Sequence, residues 1–291
     1  MEIYDLKYFL AVAQLENVNK AASVLHISPG SVSKAISRLE DELGVNLFLK
    51  QGRNIRLTDS GRLLQRRASS IVQLEEDTKI DLKGSKGAIK VTVSSSEILL
   101  KGFGMRLLST LQRLIPTATF EFYVRGEQDV IRQVQSGEVH LGITTHEPPA
   151  DLDKVSLGAT EFQTCVGPSH PLASKKRSSV HIEEVLQHGF VVPQENILGK
   201  VSESASYDGW RDDKFPRQAI FRVASLSITE DLVMQGIAIA YLPDFLVTKM
   251  GANVLKIEGC PYYCKQKVSL IGRNINDIGW LKNFFSKIKA N

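Results

Sequence analysis

Six cations lie between residues 50 and 67 (Lys50, Arg53, Arg56, Arg62, Arg66 and Arg67), opposed by Asp59 alone. At that density guanidinium and ammonium groups neutralise phosphates and release their counterions, although a row of cations is also what a solvated face looks like. Upstream stands a second group: Ser28, Pro29, Gly30, Ser31, Ser33, Lys34, Ser37 and Arg38. Short hydroxyls interleaved with cations reach base edges and phosphate oxygens without steric conflict. A third group is scattered: Ser95 and Ser96, Arg125, Thr144, Thr145 and His146, Gln194, Ser225 and Ser227. These are polar groups of the kind that hold a small molecule. There is no nucleophile elbow, no phosphate-binding loop and no metal-ligand spacing. No catalytic residue, metal or cofactor is therefore assigned. The chemistry expected is binding, and an enzyme is not.

The second group needs a helix to present it. Leu6, Phe9, Leu10 and Ala13 recur at helical spacing. Asn19 is placed to cap a short helix, Lys20 to Leu25. His26-Ile27-Ser28 breaks it, and Ser28 caps the next helix with Pro29 at its first position. Val32, Ile36, Leu39 and Leu43 form that helix's buried stripe, and Gly44 ends it. Two helices separated by three residues, the second capped and amphipathic, match a helix-turn-helix. Leu47-Phe48-Leu49 and Ile55-Arg56-Leu57 flank a Gly- and Asn-containing turn and read as a hairpin with a basic tip. Thr58 caps a helix to about Leu82, roughly 37 Å long at about 1.5 Å per residue. Its apolar stripe (Leu64, Ala68, Ile71, Leu74, Thr78, Leu82) has no obvious cover and predicts a dimer seam.

After a Lys-Gly-Ser-Lys linker (83–86) the pattern changes. Strand-like runs (Ile89–Val93, Thr119–Val124, Leu141–Thr145) alternate with helix-like ones (Leu99–Leu114, Asp129–Gln135), as in a largely parallel sheet. Phe190–Val192, Ser227–Gln235, Ile237–Leu242 and Pro243–Met250 repeat the alternation, and an amphipathic helix, Trp280 to Ile288, closes the chain. The overall class is α/β. The 291 residues suggest two or more domains, with 43% hydrophobic and 23% charged residues as in ordinary globular proteins. The net charge of +4 permits a nucleic-acid partner without requiring one. Neither a signal peptide nor a run of about 18 apolar residues is found. Three cysteines (Cys165, Cys260, Cys264) suit a reducing, cytoplasmic location. Cys260 and Cys264 read either as a thiol pair or as reduced packing cysteines, and Pro261 makes a helical register between them unfavourable.

Several segments together resemble the LysR-type transcriptional regulators: Leu6-Lys7-Tyr8-Phe9, Ala21 to Leu25, Ser31-Val32-Ser33, Leu39 to Gly44, Leu47-Phe48, and Arg56 to Gly61. The match is specific over residues 3–65 and weaker beyond, through Gly137 to Ile143, His170 to Ala173 and Gly236 to Pro243. The resemblance implies a winged helix-turn-helix (1–58), a dimerising linker helix and hinge (59–87), and an effector-binding domain (88–291) similar to type 2 periplasmic binding proteins. It implies a first lobe of residues 88–162 and 267–291 and a second of 163–266, with crossings near Glu161–Gln163 and Lys265–Val268. Pro29 and Gly30 stand where the family usually carries Gln and Pro, which moves base readout to Ser31, Ser33 and Lys34.

In parallel sheets ligands sit at the carboxyl ends of strands, which selects the third group above. The serine run at 94–96 either holds an anion at a helix start or caps the helix. Arg125 either neutralises an anionic effector or lies on the surface. The expected partners are duplex DNA, a small-molecule effector, further copies of the chain through Leu64, Ala68, Ile71 and Leu74, and RNA polymerase if the protein activates; no membrane is expected. The alternatives are an enzyme or a solute-binding domain fused to a DNA-binding module. The wing reading has a direct consequence: Arg53→Ala should weaken binding on every duplex sequence and flatten the dependence of log affinity on log salt by about one unit. Salt titrations that leave affinity and slope unchanged would refute it.

Overall fold

The structure, a computed structural model, describes residues 1–51, 54–83, 90–173, 179–199 and 206–290. Helix α1 (Ile3–Leu15) buries Leu6, Phe9, Val12 and Ala13. Helix α2 (Val18–Leu25) is capped by Asn17, whose side chain accepts the Lys20 N–H at 3.0 Å. Asn19 is therefore not the cap: it lies inside the helix, where its carbonyl accepts the Ser23 hydroxyl at 3.0 Å. Helix α3 (Pro29–Leu43) starts at Ser28, whose Oγ accepts the Ser31 N–H at 3.1 Å, and ends at Gly44 with φ of +66°. Ala21 and Ala22 bring α2 against Val12, Val32 and Ile36. Strands β1 (Phe48–Gln51) and β2 (Asn54–Leu57) pair antiparallel. The turn residues Gly52 and Arg53, and the Lys50 side chain, lie outside the described residues.

Thr58 ties the hairpin to helix α4 (Asp59–Lys83). Its hydroxyl accepts the Gly61 N–H at 2.9 Å and donates to the Asn46 carbonyl at 2.7 Å. A Cβ on Gly61 would stand 2.1 Å from the Leu47 carbonyl oxygen, so only glycine lets α4 approach the strand this closely. The expected dimer seam is largely a seam within the chain. Ala68 has no exposed surface, and Leu64 and Ile71 pack with it against Leu6, Phe9, Leu39 and Leu47. Leu74 alone of the four proposed contacts stays open, at 53% exposed. The sequence showed the stripe, but not that α1 folds back to cover it.

Strand β3 (Lys90–Ser95) begins the second unit. Helix α5 (Glu97–Leu99) runs through a π-helical turn, Leu100–Gly104, into α6 (Met105–Leu114). The uninterrupted helix expected there is broken by that turn, where Phe103 meets Phe245 edge-on with centroids 5.3 Å apart. Strand β4 (Thr119–Val124), helix α7 (Glu127–Ser136) and β5 (Leu141–Thr144) follow. The long β6 (Asp153–Val166) leads to β7 (Val180–His181), α8 (Ile182–Val185), β8 (Gly189–Pro193), β9 (Gln218–Val223) and α9 (Leu226–Met234). Then come β10 (Ala240–Pro243), α10 (Asp244–Met250), β11 (Asn253–Val254), β12 (Ile257–Glu258), β13 (Lys265–Gly272) and α11 (Gly279–Ala290).

The strand order β10-β6-β13-β5-β3-β4 places β3, β4 and β5 parallel and β13 antiparallel beside β5. β6 joins the two lobes. It pairs with β13 from Asp153 to Glu161, then with β10 from Phe162 to Cys165. β8 and β9 pair parallel in the second lobe. Arg217 there is almost fully buried, bonded to Asp208 and Asp212 and set against the rings of Phe190 and Trp210. No helix among the described residues is long and apolar enough to cross a membrane.

The linker helix also docks on the first lobe. Ser70 Oγ donates to the Ser136 carbonyl at 2.7 Å, and Arg273 donates to Ser70 Oγ at 2.6 Å and to the Gln135 carbonyl at 3.1 Å. Gly137, with φ of +72°, permits this approach: a Cβ there would meet Ser70 Cα at 3.2 Å. Gln73 bonds the imidazole of His140. The close approach at the other end of α4 is directly testable. Gly61→Ala should lower unfolding stability by about 1–3 kcal/mol, because the obstacle is backbone and cannot rotate away. A denaturation midpoint equal to wild type would show that the helix and hairpin can separate at no cost.

Candidate functional site

The outer side of α3 is polar and open. Ser28, Pro29, Gly30, Ser31, Ser33, Lys34 and Ser37 are all exposed, while Val32, Ala35, Ile36 and Leu39 are buried on the other side. Ser28 is partly committed, because its Oγ also shares a hydrogen bond with Ser31 Oγ at 2.8 Å. Arg38 is more than a free cation. Its Nε donates to Asp5 Oδ2 at 3.3 Å and its Nη2 bonds Asp5 Oδ1, which neutralises a carboxylate only 3% exposed. That hydrogen bond is the main cause of a guanidinium pKa raised above its usual value. Arg38 thus fixes α3 to α1, and Lys34 is the unencumbered cation of this face. Arg56, Arg66 and Arg67 are exposed, and Arg62 is paired with Asp59 and the Leu57 carbonyl.

The lobes enclose a cavity of about 150 Å³ lined by Ser96, Glu97, Asn196, Ser225, Thr229 and Tyr241 among others. Two of the anticipated ligand-binding residues, Ser96 and Ser225, lie on it. Both also cap helices: Ser96 Oγ accepts the Leu99 N–H at 3.4 Å and Ser225 Oγ the Ile228 N–H at 3.5 Å. The others are placed differently. β3 extends through Ser95, which is fully buried and donates to the Ile143 carbonyl at 2.8 Å, so it offers nothing to a ligand. Gln194 is exposed and donates to the Arg222 carbonyl at 3.0 Å, and Ser227 is exposed beside Ser225. Arg125 follows the edge strand β4, bonds the Val124 carbonyl at 2.8 Å, and lines a different cavity, with Leu10, Gln65 and Val72.

Thr144, Thr145 and His146 do converge, on a group the sequence did not single out. The Glu127 carboxylate, in a residue 8% exposed, accepts Thr144 Oγ1 at 2.7 Å, Thr145 Oγ1 at 2.9 Å, the Thr145 N–H, and the His146 N–H at 3.3 Å. It also accepts the N–H of Gly199, from the second lobe, at 2.9 Å. An acidic residue after Gly126 at a helix start reads as an ordinary first-turn carboxylate, so nothing local marks these partners. His146 Nε2 is buried without a hydrogen-bond partner among the described residues.

The cysteines do not form a disulfide. Burial pushes the Cys165 thiol up to about 12 and raises that of Cys264, which disfavours the reactive thiolate. Among the described residues no group of His, Cys, Asp and Glu is placed to hold a metal.

A helix-turn-helix, a hairpin and a two-lobed domain joined by one helix are a specific combination, and family models match both parts. One, described as the LysR substrate binding domain, matches residues 84–271. The other, the bacterial regulatory helix-turn-helix protein of the lysR family, matches residues 3–62. The chain belongs to the LysR family. It is a DNA-binding transcriptional regulator with an effector-binding domain, and not an enzyme. This LysR-type regulator is similar to the uncharacterized HTH-type transcriptional regulator YybE of Bacillus subtilis, at 25% identity over 288 residues, 98% of this chain and 94% of that one. Full-length CbnR, solved in complex with its target DNA, aligns at TM-score 0.66 and 20% identity over 100% of this chain and 99% of its own. LysG from Corynebacterium glutamicum, solved with bound effector Arg, aligns at TM-score 0.64 and 18% identity over 100% and 98%. At those identities the solved structures establish the fold that the regulator shares.

Proposed function

We propose that this LysR-type regulator reads duplex DNA with the exposed start of α3, holds the phosphate backbone with the hairpin and the cations of early α4, and responds to a small molecule bound between its lobes. The observation that carries this reading is the double attachment of α4. Ala68 is part of the DNA-binding core, while Ser70, two residues on, is bonded to Ser136 and Arg273 of the first lobe. A ligand that binds one lobe arrangement more tightly than another shifts the balance between them. Through α4 that shift reaches α1 and α3 as a coupling free energy between two sites.

Ser31, Ser33 and Lys34 are the residues proposed for base readout, with Lys50, Arg53 and Arg56 on the wing. Ser96 and Ser225, on the cavity, are the proposed effector contacts. The protein acts in the cytoplasm as a homo-oligomer, and the exposed Leu63 and Leu74 on α4 support self-association through that helix. An activating role would add RNA polymerase as a partner. CbnR, solved with its target DNA, and LysG, solved with an amino-acid effector, are consistent precedents.

Selection of bound sequences from random duplex DNA tests the reading. Wild type should enrich a motif with two half-sites, as expected of a symmetric oligomer. Ser33→Ala should change preference at one or two positions, with a loss of about 1–3 kcal/mol for the preferred base. Failure to enrich any motif would overturn the function, and an identical motif for Ser33→Ala would remove Ser33 from the readout.

A further inference from the structure

The cradle around Glu127 has the composition of an anion-binding site. Two hydroxyls and three backbone N–H groups converge on one carboxylate, and no cationic side chain is among these partners. A carboxylate offers about four lone-pair sites, so five donors leave no capacity unused. The donors come from both sides of the cleft: Thr144 ends β5 and is followed by Thr145 and His146 in the first lobe, while Gly199 belongs to the second. Empty, the cradle would leave buried donors unsatisfied, which is costly. Here the chain fills it from within.

We propose that Glu127 is a built-in occupant of the cleft's anion seat, and that it fixes the class of effector: a small molecule that carries no carboxylate. This rests on the reading of the cleft as the effector site. Two features beside the seat point the same way. Among the described residues the neighbouring cavity is lined by Glu97 and Glu195 and by no Lys, Arg or His, so an anionic ligand would meet like charge from these two carboxylates. Asn196 lines that cavity and donates to the carbonyl of Gly199, the residue whose N–H holds Glu127. A ligand in the cavity therefore touches the loop that fastens Glu127 to the second lobe. Occupancy of the cavity and closure across the seat are read by the same few residues.

The test uses full-length protein and sodium acetate as the probe, with sodium chloride at equal ionic strength as the control. Glu127→Ala empties the seat. Its melting temperature should fall below wild type and recover most of the loss as acetate rises, saturably, as for a ligand that binds only the folded state. Wild type should not respond to acetate beyond the chloride control. Glu127→Gln keeps the shape but turns an NH2 group toward donors. It should be less stable than wild type and gain nothing from acetate. A Glu127→Ala protein that acetate stabilises no more than chloride does would overturn the proposal, as would a saturable acetate response of wild type. If Glu127→Ala does not fold, Glu127→Gln decides: wild-type stability in that variant would overturn it, and a lowered melting temperature supports it. DNA affinity measured on the same samples separates the proposal from the reading beneath it. Acetate that restores the stability of Glu127→Ala without changing its DNA affinity would place the seat correctly while removing the cleft from regulation.

Discussion

Ala68 has no exposed surface because α1, α3 and the hairpin close over it, yet Ser70, half a turn further along the same helix, is bonded to the first lobe. A continuous helix cannot bend sharply between adjacent residues without a proline, a glycine or a break in its hydrogen-bond ladder. Residues 62–83 contain neither proline nor glycine. The DNA-binding unit and the first lobe are therefore both fixed to one stiff rod. Much else in the molecule serves that arrangement. Gly61 and Gly137 are the two points where backbone must come close enough to seat α4, one at each unit. Lys7, on α1, bonds Glu75 and Glu76 and ties the recognition unit to the rod beyond Ser70.

The two lobes are held by different means. β6 is covalently common to both and exchanges β13 for β10 between Glu161 and Phe162. Away from that crossing the described contacts include an apolar one, Phe103 of the π-helical turn edge-on against Phe245 of α10, and polar ones. Lys101 of the π-helical turn pairs with Glu230 of α9, and Glu127 is held by Gly199. The second lobe itself is braced by the buried Arg217 with its two aspartates. Lobes joined by one shared strand and by separable side-chain contacts are what a ligand-driven equilibrium between arrangements requires.

What the sequence revealed follows the range of the interactions concerned. Ser28, Gly44 and Thr58 were legible because capping is settled within three or four residues. Asn19 was misread for the same reason: Asn17 is an equally good cap two positions earlier, and the choice depends on where α2 begins against α1. Ser95 was lost to strand parity. Two more residues of β3 put it in the core and leave Ser96 as the cap. Arg125 stayed open between an effector contact and a surface cation because nothing local says that β4 is the edge strand. The stripe on α4 was correctly apolar, but its cover comes from α1, α3 and the hairpin, which only the tertiary fold brings to it. Glu127 gave no signal at all, since its partners are brought to it by β5 and by the second lobe.

The account stands on α4 carrying a change from the lobe to the DNA-binding unit, and amide hydrogen exchange on full-length protein measures that transmission without any effector. Arg273 lies 203 residues from Ser70 in sequence and touches α4 through it. Arg273→Ala removes that hold while leaving the DNA-binding core untouched. Faster exchange in α4 peptides around Ser70, and in α1 packed against them, is the predicted result. Exchange in both helices equal to wild type, with the lobe peptides around Ser136 alone affected, would contradict it.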